Sequence, residues 1–302
     1  MCEMSHFTVA GANPSNNYKP NPKHNGDAFV NHLNKNGIRI FAVIDGAKAP
    51  YHYKINGMPN DCYGSNLVAK LLVESFQNVD KIQKWKSGFK HLISMFKFEM
   101  NLIQNSFPEF AGEDYRLFNP ANAFAIALID ENNGDCVVLQ GTDCYMSIRK
   151  NGKVETLSVY DEYALQATGR LVEGKMLSDL VNEGMSLEDA QEYEHERVRE
   201  NRKRVYNKCV DGRNLGGMAT LNGDPDLLKC VQIDTFNMFK EGVDAFVAMS
   251  DGYCQKMNND QVACATGALN DGVGAFFDNH VRPLWGKQVR GDVTGAVLKY
   301  EK

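Results

Sequence analysis

The sequence predicts an α+β fold in which the strands pair antiparallel rather than through parallel βαβ units. Apolar residues recur at helical spacing in two consecutive segments, beginning near Ser65 and near Lys81, which indicates two long helices against one face of a sheet. Residues 121–149 hold three short apolar runs separated only by turn residues, a meander typical of antiparallel sheets. Asn151-Gly152, which follows the meander, predicts a hairpin turn.

The remaining elements follow from the same patterns. The residues 40–44 form an unbroken apolar run typical of a buried strand, and the Asp45-Gly46 after it predicts a turn. Ser186 with Asp189 predicts the start of a charged, solvated helix. In chain order, strands are expected over residues 6–10, 28–30, 38–46, 121–129, 136–140, 144–149, 244–250 and 293–300, and helices over 65–76, 81–106, 188–208 and 260–277.

Composition limits the function classes. The chain has 302 residues, of which 43% are hydrophobic, and a net charge of -5, so neither nucleic acid nor an anionic membrane is an expected partner. It lacks an apolar run of about 18 residues, so a membrane span is not expected either. The eight cysteines are scattered without a Cys-x-x-Cys pair, which favours reduced thiols and a cytoplasmic location. Oligomeric state cannot be predicted.

The domain prediction is a single domain over residues 1–302. No repeat, linker or low-complexity tract divides the chain. The stretch at about 160–230 differs from the rest because it is rich in charge and in turn residues, so we interpret it as a helical and turn-rich insert.

Four aspartates lie at junctions between predicted strands and loops. Asp27 precedes the second strand, Asp45 and Asp251 each end an apolar strand, and Asp292 precedes the last strand. Converging carboxylates without cationic partners repel one another, and oxygen ligands suit Mg²⁺ or Mn²⁺. Two such ions commonly serve phosphoryl ester hydrolysis. The alternative is four unrelated surface aspartates in ordinary turns.

The flanks and order of these aspartates resemble motifs of the metal-dependent protein phosphatase family, the type 2C serine/threonine phosphatases. The similarity covers about residues 6–300. Its motifs are Asn25-Gly-Asp27-Ala-Phe29, Phe41-Ala-Val-Ile-Asp45-Gly46, Gly141-Thr-Asp143-Cys144, Phe246-Val-Ala-Met-Ser-Asp251-Gly252 and Gly291-Asp292-Val-Thr294.

The resemblance implies a four-layer α-β-β-α sandwich of two antiparallel sheets flanked by helices, with two Mg²⁺ or Mn²⁺ ions at one edge. It implies that Asp45 bridges the ions, that the carbonyl of Gly46 joins it, and that Asp251 and Asp292 are further ligands. Asp27 matches the second residue of an early acidic pair and is expected to orient waters of one ion. The implied partner is a phosphorylated protein substrate.

Several positions depart from the motifs of the family. Gly141-Thr-Asp143-Cys144 stands where the family has Gly-Asp-Ser-Arg, and Lys48-Ala49 where it has a double Gly. Gly26 stands in place of a Glu, Ala47 in place of the general-acid His, and alignment on the Val-Thr pair puts Gly291 in place of a metal-binding Asp. Asp292 takes the next position, where a local shift would restore a ligand.

The departures leave catalytic tasks to other residues. His52, in the loop after Asp45, is the candidate proton donor. Lys23 and Lys48 are the candidates for binding the substrate phosphate, because the upstream Arg of the family is missing.

Three functions are compatible with this sequence. The first is an Mg²⁺- or Mn²⁺-dependent phosphatase acting on phosphoserine or phosphothreonine in proteins. The second is a catalytically impaired pseudophosphatase that serves as a binding module. The third is a metal-dependent hydrolase of a small phosphate compound.

Overall fold

The computed structural model describes residues 2–9, 25–47, 49–51, 53–157, 177–207, 219–254, 261–284 and 292–301. Its strands are β1 (Cys2–Val9), β2 (Asp27–Leu33), β3 (Ile38–Ala47), β4 (Lys54–Ile55), β5 (Met58–Pro59), β6 (Ala121–Asp130), β7 (Asp135–Gly141), β8 (Tyr145–Lys150), β9 (Lys153–Thr156), β10 (Gln232–Asn237), β11 (Val243–Met249) and β12 (Val293–Tyr300). Its α-helices are α1 (Asn60–Phe76), α2 (Trp85–Asn105), α3 (Tyr115–Phe118), α4 (Leu177–Asn182), α5 (Leu187–Val205), α6 (Leu227–Cys230), α7 (Met238–Glu241), α8 (Asp251–Cys254), α9 (Gln261–Asp271) and α10 (Val273–Phe276).

Two five-stranded antiparallel sheets form the centre of the molecule. One has the strand order β10-β7-β6-β3-β2 and the other β1-β12-β11-β8-β9. Helices α1 and α2 pack on the outer face of the first sheet, and α9 and α10 pack on the outer face of the second. This arrangement confirms the predicted α+β sandwich of two antiparallel sheets flanked by helices.

The alternating side chains of β6 explain how the layers fit. Every residue of this strand is buried, because both of its faces are covered. Ala123, Ala125 and Ala127 face the second sheet, whereas Phe124 and Ile126 face the helices. Small residues on the inner face let the two sheets approach closely, and large residues on the outer face fill the space beneath α1 and α2.

Some element boundaries differ from the sequence-based expectation. β3 extends one residue beyond the expected range of 38–46, to Ala47, and Asp45-Gly46 lies in the strand rather than in a turn, because Gly46 and Ala47 still pair with β6. Helix α1 begins at Asn60, before its apolar face starts, and the Asn60 Oδ1 accepts a hydrogen bond from the Ala49 amide. Gly272 has φ of +85° and separates α9 from α10, where one helix or two were expected.

Strand β10 has no counterpart among the predicted elements. It pairs with the edge of β7, and its side chains alternate between partly buried and exposed. Ile233, its one aliphatic residue, is itself exposed. An edge strand of this kind leaves little apolar signal in the sequence.

The insert contributes the helix that its charge pattern predicts. The Ser186 Oγ caps α5 by accepting a hydrogen bond from the Asp189 amide at 3.1 Å. Residues 158–176 and 208–218, which complete the predicted insert, lie outside the described residues. In the described part of the chain, no helix is long and apolar enough to span a membrane.

The core between the sheets yields a stability prediction. Phe246 in β11 is fully buried in the cluster between the two sheets, so Phe246→Ala is expected to lower the free energy of unfolding by about 3–5 kcal/mol. Phe98 in α2 is 54% exposed, so Phe98→Ala is expected to change it by less than about 0.5 kcal/mol. Urea denaturation of both variants measures the difference. Equal losses would contradict this placement of the core.

Candidate metal centre

Strands from both sheets bring the four aspartates together. Asp27 and Asp45 lie directly opposite each other in the β2–β3 pair. Asp251 follows β11 and Asp292 precedes β12, and these two strands also pair. Both the Asp251 and Asp292 charges act on the Asp27 carboxyl, which places the ends of the two sheets side by side.

The backbone at Gly46 is tightly enclosed. Its amide donates to the Gly26 carbonyl oxygen at 2.9 Å. A Cβ at Gly46 would lie 2.5 Å from the carbonyl oxygen of Asp61 and 2.6 Å from that of Gly26. Because both neighbours are backbone atoms that cannot move aside cheaply, this position requires glycine. The turn into β2 and the start of α1 are thereby held against the end of β3.

Asp27 lies in an electrostatically unfavourable position. Its side chain is 5% exposed, and neither of its buried oxygens has a hydrogen bond of regular geometry. Burial, and then the charge of Asp292, raise its pKa to about 8. The hydroxyl groups of Ser250 and Thr294 approach the carboxylate and favour its charged form, but their effect is smaller.

Asp45 and Asp143 share this environment. Burial, followed by the charges of Asp27 and Asp251, raises the pKa of Asp45 well above its ordinary value. Burial and the charge of Asp251 raise the pKa of Asp143 to about 7. The neighbouring Cys144 is fully buried, and burial beside Asp45 also raises its thiol pKa, so it is a poor nucleophile.

The donor chemistry suits a hard divalent cation. The groups are oxygen ligands with excess negative charge, and the buried oxygens of Asp27, which lack a hydrogen bond of regular geometry, are what a cation or its waters would satisfy. Among the described residues, however, no three His, Cys, Asp or Glu side chains form a ready-made ligand set. The donor atoms and the charge of the site therefore suit a cation, but the described side chains are not arranged as a complete set of ligands.

Residues 219–224, which we call the return segment, dock beside Gly46. Asn122 of β6 pairs in register with Gly46, and its Nδ2 donates to the Leu221 carbonyl at 2.7 Å. The Asn207 side chain, just after α5, bonds both backbone groups of Thr220 at 2.9 Å. Buried asparagines thus fix the end of the insert to the strand that flanks the carboxylates.

The structure brings together five of the predicted site residues: Asp27, Asp45, Gly46, Asp251 and Asp292. The predicted proton donor and phosphate-binding residues, His52, Lys23 and Lys48, lie outside the described residues. Their roles stay predictions.

Asp143 belongs to the carboxylate group, although the sequence was interpreted there only as a departure from a phosphatase motif. It lies between two predicted strands, as the other aspartates lie at strand ends. This shared position is the feature of the sequence that could have identified Asp143 as a member of the group.

The chain shares its fold with solved bacterial serine/threonine phosphatases. No protein-family model matches the chain, and no curated protein matches its sequence.

Three structures illustrate this similarity. Stp1 from Staphylococcus aureus has a TM-score of 0.57 and 14% identity, with 100% of this chain and 96% of that chain covered. The S. agalactiae serine/threonine phosphatase has a TM-score of 0.56 and 12% identity, with 100% of both chains covered. The catalytic domain of PstP, solved with two manganese ions, has a TM-score of 0.52 and 12% identity, covering 99% and 97%.

The raised pKa values predict how the stability of the metal-free protein depends on pH. The pKa of Asp27 rises from 3.8 to about 8 on folding, so the folded state binds more protons between these values, and stability falls as the pH rises through this window. Asp27→Asn is therefore expected to stabilise the metal-free protein at pH 8 by more than about 1 kcal/mol, and to change little at pH 4.

Thermal unfolding in EDTA at both pH values measures this effect. Asp226, exposed and paired with Lys229, supplies the control variant Asp226→Asn, which is expected to change little at either pH. A loss of stability in Asp27→Asn at pH 8 would contradict the electrostatic account.

The return segment yields a second prediction. Asn122→Ala leaves the buried Leu221 carbonyl without its side-chain donor, so the free energy of unfolding is expected to fall by about 1–3 kcal/mol. Asn132, which is exposed, donates a similar bond to the Asn36 carbonyl, and Asn132→Ala is expected to cost less than about 0.5 kcal/mol. If urea denaturation gives similar losses of unfolding free energy for the two variants, the buried Asn122 hydrogen bond contributes no more to stability than the exposed one.

Proposed function

We propose that the protein is an Mg²⁺- or Mn²⁺-dependent phosphatase that hydrolyses phosphoserine or phosphothreonine in protein substrates. The observation that carries this proposal is the group of buried, mutually repelling carboxylates at the ends of the two sheets. Their excess negative charge needs a cation. The fold shared with bacterial serine/threonine phosphatases, one of them solved with two manganese ions, supports the same reaction class.

Each residue of the site has a proposed role. Asp45, opposite Asp27 and near Asp251, would bridge two ions, together with the carbonyl of Gly46. Asp251 and Asp292 would supply further oxygens, and Asp27 would hold water through its buried oxygens. Two divalent ions, when bound, lower the pKa of an attacking water and neutralise the phosphoryl oxygens.

The leaving group needs a proton from the protein. Ala47, exposed at the end of β3, has no proton to give. We propose that His52 donates it, and that Lys23 and Lys48 bind the phosphate. General acid catalysis contributes about 10²–10⁴-fold to such rates, so imperfect placement of His52 would give a slow enzyme rather than an inactive one.

The setting we propose is the reducing cytoplasm. The thiols of Cys62, Cys136, Cys144 and Cys264 are free and buried. Free thiols of this kind are typical of reduced compartments.

A pseudophosphatase is the second candidate. Ala47 lacks a proton donor, and the described carboxylates form no ready-made ligand set. Such a protein would use the same fold to bind a partner without turnover.

A phosphatase assay distinguishes the candidates: the metal-free protein is prepared, Mn²⁺ is added, and phosphate release is measured. We expect turnover of a phosphoserine peptide and of p-nitrophenyl phosphate, and loss of both in Asp45→Asn because the bridging oxygen donors are halved. Asp80, exposed and paired with Lys84, supplies the control variant Asp80→Asn, which should retain full activity.

Each other outcome has a definite meaning. No turnover with either Mg²⁺ or Mn²⁺ indicates the pseudophosphatase. Turnover of small phosphate compounds but of no phosphopeptide indicates a small-molecule hydrolase. Unchanged activity in Asp45→Asn would remove the carboxylate centre from the mechanism.

A further inference from the structure

The backbone conformation gives no reason for glycine at position 26. Gly37 and Gly57 adopt positive φ angles of 83° and 79°, which other residues rarely adopt, but Gly26 is not among the residues with positive φ. Any reason for glycine here must come from what surrounds its Cα atom.

Asp292 occupies the space that a side chain at position 26 would need. A Cβ built on Gly26 would lie 2.5 Å from the Asp292 Oδ2, inside the contact distance of real Cβ atoms. The Gly26 amide donates a short hydrogen bond to the same oxygen. Two independent features of Gly26, its amide and its missing side chain, therefore converge on one carboxylate oxygen.

We propose that Gly26 acts as a positioning residue for the metal centre by holding the Asp292 carboxylate in place. We call this contact between the Gly26 backbone and the Asp292 carboxylate the seat. The amide orients the carboxylate, and the missing side chain leaves room for it. This inference rests on the proposed metal-dependent function, because it assigns Asp292 its place among the metal-binding oxygens.

The seat joins the two sheets at the site. Gly26 precedes β2 of the first sheet, and Asp292 precedes β12 of the second. The Gly26 carbonyl accepts from the Gly46 amide at 2.9 Å. The position of the Asp292 carboxylate is thereby tied through Gly26 to the Gly46 backbone.

A side chain at position 26 acts on Asp292 more than on the fold. The nearest atom to the added Cβ is the end of a side chain, and the next is the Gly46 carbonyl oxygen at the tight distance of 3.3 Å. The Asp292 carboxylate can rotate away more easily than backbone can move. Gly26→Ala is therefore expected to displace Asp292 and leave the sheets in place.

Calorimetric titration of the metal-free protein with Mn²⁺ tests this role without relying on activity. Gly26→Ala is expected to weaken Mn²⁺ affinity by about 10- to 100-fold, the usual effect of removing the support of a metal ligand. Asp292→Ala is expected to weaken it by at least as much. In the Asp292→Ala background, Gly26→Ala should cause no further loss, because the group that it displaces is absent.

A matched control separates displacement from general crowding. Gly267 in α9 is also crowded, since a Cβ there would lie 2.2 Å from the ring of Phe276, but it packs among apolar residues of the second sheet. Gly267→Ala should lower stability and keep the Mn²⁺ affinity of the unsubstituted protein. The proposal is overturned if Gly26→Ala binds Mn²⁺ with normal affinity. It is also overturned if the fold losses in Mn²⁺ affinity of the two single variants multiply fully in the double variant.

A second measurement separates failure of the seat from failure of the proposed function. If the unsubstituted protein binds neither Mn²⁺ nor Mg²⁺, the metal-dependent function fails, and the metal role of the seat fails with it. Urea denaturation of the same four proteins in EDTA then decides the seat itself. Destabilisation by Gly26→Ala that disappears in the Asp292→Ala background supports it, and equal destabilisation in both backgrounds overturns it.

Discussion

Repulsion among carboxylates at the ends of two stacked sheets is the constraint on which the site depends. Burial and neighbouring carboxylates raise the pKa values of Asp27, Asp45 and Asp143, and the charges of Asp251 and Asp292 contribute to these shifts. Folding brings them together at a cost in free energy, because burial and like charge both disfavour the ionised forms. The divalent cation proposed above would turn this cost into binding energy.

The scaffold supplies the free energy that holds these groups in place. Alanines on the inner face of β6 allow close packing of the sheets, and the outer faces are covered by α1 and α2 on one side and by α9 and α10 on the other. Register pairing sets Asp27 against Asp45. Asn122, which binds the return segment, pairs with Gly46, so the end of the insert and the carboxylates share one edge.

The regular spacing of apolar residues predicted the helix and sheet layers, because the burial of side chains determines that spacing. The long helices α1 and α2, the meander from β6 to β8, and the strands β11 and β12 bury apolar residues at regular spacing. Strand β10 escaped prediction because an edge strand buries few apolar side chains. The extension of β3 to Ala47, past the turn indicated by Asp45-Gly46, escaped prediction because pairing partners far away in sequence decide where a strand ends.

The site was predicted in part for similar reasons. Asp27, Asp45, Asp251 and Asp292 stand at strand ends, which the chain pattern reveals. The approach of Asp143 and the contact between Gly26 and Asp292 depend on how two sheets stack, and separations of up to 266 residues carry no local signal. Glycine at position 26 was interpreted only as the loss of an acidic residue, whereas in the structure its space holds an acidic side chain from the other sheet.

Anomalous diffraction at the manganese absorption edge, from crystals grown with Mn²⁺, tests the central claim most directly. The account predicts two anomalous peaks among the carboxylates, with Asp45 between them and Asp251 beside one of them. Crystals that contain Mn²⁺ in solution but show no peak at these residues would contradict it.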